Sequence, residues 1–211
     1  MSLPADWLAR LRSALAATPD HDPARWQIAG KLLSAHEAMR VAMPAALQAA
    51  AVLVPIIDRP AGPALLLTTR AGHLRQHAGQ IGFPGGRIET SDGDVLGAAL
   101  RETREEVGIA PEYVEPLGFL PDQVVLTGFR ITPVVALLRP GYSLQVDRAE
   151  VAEVFELPLE FLSRAENFRP TRRVLRGVDV TLDDLPFDGR LIWGATAGML
   201  QLLHAALLRA P

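Results

Sequence analysis

Three glutamates, Glu102, Glu105 and Glu106, follow directly on Arg101 in the string RETREEVG. On a helix advancing about 100° per residue, Leu96, Leu100, Thr103 and Val107 share one face, and the three carboxylates converge on the opposite side. Like charges at i,i+4 repel by roughly 0.2–0.5 kcal/mol even on an exposed helix, so a cation is expected among them. Arg101 and Glu105 are i,i+4 partners, and their ion pair would hold Glu105 in place. That leaves Glu102 and Glu106, also i,i+4, to offer oxygen ligands to a hard divalent ion. An oxygen-only, incomplete protein shell suits Mg²⁺, which keeps waters and accepts phosphate oxygens. Spacing alone also fits a solvated acidic helix face, because glutamate is a good helix former.

Upstream, Ala71 to Gly86 holds five glycines and no sustained period, which reads as a structured loop carrying function. It makes physical sense as an anion cradle. Arg70 and Arg75 are fixed cations able to make forked bonds to phosphate oxygens, and the glycines let backbone approach closely. His73 and His77 either add donors or sit at the surface. Gln80 either touches substrate or tethers the loop. Phe83-Pro84 reads as a packing plug beneath it.

The string from Gly85 to Ile109, GGRIETSDGDVLGAALRETREEVGI, resembles the Nudix box, a glycine followed by a loop and then REUxEExGU with U aliphatic. Arg101, Glu102, Glu105, Glu106, Gly108 and Ile109 stand in place, with Thr103 where an aliphatic residue is usual. Asp92 stands where the box has glutamate, and one extra residue lies before Arg101, so Asp92 is read as a helix cap. Leu65 to Gly86, LLLTTRAGHLRQHAGQIGFPGG, looks like the additional signature of the coenzyme A diphosphatase branch, with Arg70, Arg75, Gly79 and Phe83-Pro84-Gly85-Gly86 on matching positions.

The resemblance implies an α/β/α sandwich of α+β class, with Mg²⁺ or Mn²⁺ held by Glu102, Glu105 and Glu106. It implies a substrate site drawing on Arg70, Arg75, Gly79, Gly85 and Gly86, to which the loop's own polar side chains add His77 and Gln80 as candidates. Arg101 and Glu105 are catalytic candidates, and a further carboxylate from beyond the box, Glu150 or Glu153, is a candidate base. The implied reaction splits the diphosphate of coenzyme A or acyl-CoA into 3′,5′-ADP and (acyl-)4′-phosphopantetheine. NADH, ADP-ribose and dinucleoside polyphosphates are rival substrates, because the box specifies the bond and not the group carried. A non-catalytic nucleotide-binding module is the rival of another class, and three intact, mutually repelling glutamates speak against it.

These residues need a scaffold. A helix is expected over Pro4 to Ala17, ended by Pro19 to Pro23. A helical turn from Ala46 feeds a strand at Ala51 to Ile57, paired through Asp58 to Gly62 with Ala64 to Thr69. The carboxylate helix spans Asp94 to Val107, with Asp92 as N-cap and Gly108 as stop. Strands follow at Val114 to Leu120, Gly128 to Leu138, Glu153 to Leu157 and Leu191 to Trp193. A helix at Ala195 to Leu208 closes the chain, and Trp193 is either core or pocket lining. This order predicts α+β with a mixed sheet. At 211 residues, one domain is expected, residues 1–48 forming a helical extension and 49–211 the core.

With 49% hydrophobic residues and a formal charge of −3, the chain lacks the footprint of a nucleic-acid or anionic-membrane binder. It contains no cysteine, which removes disulfides, thiolate metal sites and cysteine nucleophiles together. Its longest apolar run, Ala42 to Ile57, is broken by prolines, so a cytoplasmic enzyme is expected. The segment Leu3 to Ala50 either covers the sheet or supports a homodimer.

Overall fold

The computed structural model describes residues 3–35, 37–74 and 77–209. In chain order they form α1 (Trp7–Ala14), β1 (Gln27–Ile28), β2 (Lys31–Leu32), α2 (Glu37–Ala42), β3 (Gln48–Ile57), β4 (Ala64–Arg70), β5 (Ile81–Gly82) and β6 (Gly85–Arg87). Then come α3 (Val95–Val107), β7 (Val114–Phe119), β8 (Gln123–Val125), β9 (Phe129–Leu138), β10 (Val151–Pro158) and α4 (Leu159–Leu162). The remainder is β11 (Arg169–Leu175), β12 (Val178–Phe187), β13 (Arg190–Ile192) and α5 (Gly194–Leu208). Among the described residues, no helix is long and apolar enough to cross a membrane.

The main sheet runs β10-β4-β3-β9-β8-β1-β2 and is mixed: β3 and β9 pair in parallel along their whole length, while β4 and β10 are antiparallel. Alternation along the strands sends side chains to opposite faces. Leu65 and Leu67 join Val52, Val54, Leu200 and Leu203 in a core under α5, and Leu66 joins Ala51, Leu53, Ala98 and Val107 in a core under α3. A helix thus covers each face of the sheet.

The edge of β3 away from β9 is shared. It pairs with β4 only at Ile56 and Ile57, and with β6 at Ala50 to Val52. Beyond the divergence, β4 takes β5 as its partner at Thr68 and Thr69. The sheet therefore opens between β4 and β6, and the loop connecting them lies at the opening.

Several expectations need correcting. The first helix is shorter than Pro4 to Ala17, because Leu15 turns extended and Ala16 bridges Phe119. The N-terminal extension is not simply helical: its β1–β2 hairpin turns at Gly30 (φ 78°), and β1 joins the main sheet beside β8. β3 starts at Gln48 rather than after a helical turn, since full parallel pairing with β9 overrides the helix preference of the alanines. The strands β11 and β12 form a separate three-stranded sheet with β13.

The N-terminal hairpin is fastened to α5 by a glycine-to-glycine contact, where a methyl group on Gly198 would run into the backbone of Ala29 and Gly30. Gly198→Ala should gain about 1 kcal/mol of helix propensity and lose more to a clash with backbone that cannot swing aside, about 1–3 kcal/mol. A lowered thermal midpoint is the expected outcome, and a raised one would mean that the hairpin is not seated there.

Candidate active site

α3 carries the acidic string. Its N-cap is Asp94, whose carboxylate accepts from Gly97 N–H at 2.7 Å, and not Asp92 as the sequence suggested. Asp92 instead closes the preceding turn by accepting from the backbone N–H of Glu89 at 2.7 Å. Asp94→Ala should cost the worth of one cap, about 1 kcal/mol of unfolding free energy, read as a lower denaturant midpoint with an unchanged slope. The helix ends at Gly108, in the left-handed region with φ 77°.

The buried stripe of α3 is Val95, Ala98, Ala99, Thr103, Glu106 and Val107, with Leu96 and Leu100 at its margin. This rotates the burial towards Glu106, so the three glutamates do not share one solvent face. Glu106 is 3% exposed, Glu102 is half-buried, and the Glu105 side chain is 59% exposed. Thr103 tolerates full burial because its hydroxyl donates to the carbonyl of Ala99 at 2.7 Å.

Both inner carboxylates meet the glycine backbone of β6. Gly85 N–H donates to Glu106 Oε2 at 3.2 Å, and a methyl group on Gly86 would collide with the carboxylate of Glu102. Gly86→Ala should therefore displace Glu102 and reduce turnover about ten-fold or more, with a thermal midpoint near wild type because the colliding atoms end a flexible side chain. Normal turnover would show that the position of Glu102 is unimportant.

Arg101 is the hub of the site. Its Nε and Nη2 donate to Asp92 at 2.7 and 3.1 Å, its Nη1 to Glu102 and to Glu105 at 2.9 Å each, and its Nη2 also to the carbonyl of Arg87 at 3.0 Å. The pairing with Asp92 is the leading cause holding the guanidinium above its ordinary pKa, and it holds Asp92 below the usual carboxylate range. The Arg101–Glu105 pair matches the i,i+4 expectation. The Asp92 and Arg87 contacts were not foreseen, and the acidic residue in the glutamate position of the box was the available signal.

Glu106 is the anomalous group. Burial pushes its pKa up to about 8, against the Gly85 N–H and Arg70, and the charges of Glu102 and Glu150 push the same way as burial. Arg70 Nη1 lies 3.7 Å from Glu106 Oε1, while its Nε is buried without an acceptor among the described residues. Glu102 is raised too, by burial first, with Arg101 opposing.

Among the described residues, no group of three or more acidic or histidine side chains is preset as a metal cage. The donor chemistry still fits a hard divalent cation. A buried carboxylate and a half-buried one face the same glycine strand, and burial favours the neutral form of both until a positive charge arrives.

The other candidates divide. Glu150 is exposed, its carbonyl accepts from Ala71 N–H at 2.7 Å, and its charge acts on both Glu102 and Glu106. Glu153 is instead clasped by Arg190 at 2.5 and 3.2 Å, which lowers its pKa and removes it from the carboxylate group. His77 and Gln80 bond each other at 2.8 Å and so tether the loop, which closes through Arg70 N–H to the Gln80 carbonyl at 2.9 Å and Gly79 N–H to the Arg70 carbonyl at 3.1 Å. His73 is exposed and Phe83 is buried in the core under α5. Arg75 lies outside the described residues. Trp193 sits under the Arg173 guanidinium, 4.7 Å from its ring centre.

The NUDIX domain family model matches residues 47–176. A curated relative from Citrobacter koseri, described as the uncharacterized Nudix hydrolase NudL, is 44% identical over 73% of this chain and 80% of its own length. A NudL from Salmonella paratyphi B is 39% identical over 88% of this chain and 93% of its own. A solved Nudix hydrolase from M. smegmatis, RenU, aligns at 23% identity with a TM-score of 0.46, over 54% of this chain and 72% of that one. The helix-borne glutamates, the glycine strand against which they lie and the matched residues 47–176 make this chain a member of the Nudix family, with its mixed-sheet α+β fold.

Proposed function

We propose that this Nudix hydrolase cleaves the diphosphate of a coenzyme A-like substrate, CoA or acyl-CoA, to 3′,5′-ADP and (acyl-)4′-phosphopantetheine. The observation that carries the hydrolase reading is the placement of Glu102 and Glu106 against Gly86 and Gly85, with Arg70 3.7 Å from Glu106. The coenzyme A assignment is supported by the loop Leu65 to Gly86, whose Arg70, Gly79 and Phe83-Pro84-Gly85-Gly86 follow that branch's pattern.

Glu102, Glu105 and Glu106 are the residues that would hold Mg²⁺ or Mn²⁺. Bound there, the ion supplies positive charge against the diphosphate and acidifies water. The chain's own groups do the rest. Arg70, with an unpartnered Nε and a loose contact to Glu106, turns its fork to a phosphate oxygen. The loop from His77 to Gln80, pinned by its own hydrogen bonds, keeps its backbone amides beside that arginine. Glu150 accepts the proton of the attacking water. The new oxygen–phosphorus bond forms as the anhydride oxygen–phosphorus bond breaks, and the departing phosphate carries away the electron pair. Arg101 acts through Glu102 and Glu105, keeping both carboxylates oriented.

The test is a turnover screen of the full chain with Mg²⁺ or Mn²⁺ against coenzyme A, acyl-CoA, NADH and ADP-ribose, with product identification. Coenzyme A should have the highest kcat/KM and give 3′,5′-ADP. Preference for NADH or ADP-ribose would sink the substrate assignment and keep the hydrolase. Ligand-induced stabilisation without product would sink the hydrolase.

A further inference from the structure

The strand that presents Gly85 and Gly86 to the carboxylates ends in Arg87, a residue to which neither the family pattern nor the reaction assigns a role. Its backbone is part of the site, since its carbonyl accepts from Arg101 Nη2 at 3.0 Å. Its side chain goes elsewhere. Position 86 faces Glu102, so alternation along β6 sends the side chain of residue 87 to the other face of the strand. There the Arg87 guanidinium lies over the ring of Phe129, 5.6 Å from its centre, across β3 from the site strand.

Two observations separate this pair from ordinary surface packing. Arg70 and Arg101, the other arginines at the site, each stand within 4.0 Å of a carboxylate, whereas Arg87 is exposed and has no acidic partner among the described residues. Among the described residues its strand pairs only with β3, so no further strand covers it on the side where the sheet opens. The result is a flat cation, backed by an aromatic ring, open to solvent and fixed through its own backbone to the carboxylate cluster.

We propose that Arg87 and Phe129 form a shelf for the heterocyclic base of the nucleotide half of the substrate. The base lies against the guanidinium on the side away from Phe129. This rests on the diphosphate-hydrolase reading above, and it answers a question that reading leaves open, namely which end of a nucleoside diphosphate derivative lies towards β6 and β9. Stacking of this kind is tolerant of base identity, because every base has a π face. A guanidinium supplies a plane as well as a charge, which an ammonium does not.

The experiment measures kcat and KM for whichever of coenzyme A, NADH and ADP-ribose the wild type hydrolyses best, and for the analogue of that substrate with hydrogen in place of adenine, using wild type, Arg87→Ala, Arg87→Lys and Phe129→Leu. The thermal midpoint of each variant establishes that it folds. All three substitutions should raise KM for the base-bearing substrate about ten-fold while kcat changes little, and KM for its base-free analogue should stay near wild type. An equal rise for both substrates would make Arg87 a phosphate ligand and overturn the shelf, as would restoration of wild-type KM by Arg87→Lys. Wild-type turnover with unchanged KM in every variant would overturn the shelf alone. A wild-type protein that hydrolyses none of coenzyme A, NADH and ADP-ribose would overturn the hydrolase reading and the shelf with it.

Discussion

Glu106→Gln is expected to cut turnover by at least about 10²–10³-fold and, in the metal-free protein, to raise stability above pH 8. The first effect follows from removing a charged oxygen from the group that would hold the cation, whose contribution to a phosphoryl transition state is several kcal/mol. The second follows from the burial of Glu106, which pushes its pKa up to about 8 from an ordinary 4.5. A carboxyl group whose folded pKa is raised contributes stability that is fully present below the unfolded value. That stability is lost as pH climbs through the folded one. Between about pH 4.5 and 8 the wild-type, metal-free protein should therefore lose stability from this group, on the order of a few kcal/mol. Glutamine keeps an oxygen to accept from Gly85 N–H and never ionises, so the variant should lack that part of the slope. Thermal midpoints from pH 5 to 9 without divalent ions, beside initial rates with them, give the comparison. Identical pH slopes for the two proteins would show that Glu106 is not the buried acid, and full activity in the variant would refute its place in the site. The combination means that the site is held at a cost in stability, which the bound ion would relieve by displacing the proton.

What the sequence made legible, and what it hid, follows from the range of the interactions involved. α3 and its ending at Gly108 were readable because periodicity is local and a glycine supplies the positive φ of the stop, although the sequence placed the N-cap two residues early, at Asp92 rather than Asp94. The strands β3, β4 and β9 were readable because buried strands are nearly continuous runs of aliphatic residues. The β11–β12 hairpin was hidden. Its strand RPTRRVL holds three arginines and buries no residue fully, so it carries no apolar run to notice. At the site, the i,i+4 pair of Arg101 and Glu105 could be read from spacing, whereas the deep burial of Glu106 could not. It depends on which side of α3 the two alanines Ala98 and Ala99 let approach the sheet, and that is a tertiary choice. The exclusion of Glu153 likewise needed Arg190, which is distant in sequence and has no periodic relation to it.

Arg101→Ala should be the second large loss, and it separates positioning from folding. The Asp92 side chain is only 2% exposed, and the Arg101 guanidinium lies against both of its oxygens, forming part of its cover. Once that cover is removed, the carboxylate has lost its cation and regains only part of its water. The cost in stability is then about 1–3 kcal/mol, below the 3–5 kcal/mol of breaking a pair that stays buried. Turnover should fall much further, about 10²-fold or more, because Glu102 and Glu105 lose the donor that both share and the carbonyl of Arg87 loses its tie to α3. Arg101→Lys keeps the charge and loses the fork, since one ammonium cannot reach Asp92, two glutamates and a carbonyl together, so it should recover stability better than activity. The double variant Asp92→Asn, Arg101→Ala removes the uncompensated carboxylate and should return most of the lost thermal midpoint while turnover stays low. If the double variant instead recovered activity along with stability, Arg101 would be only a structural brace for Asp92, and the orientation of Glu102 and Glu105 would have to come from elsewhere in the fold.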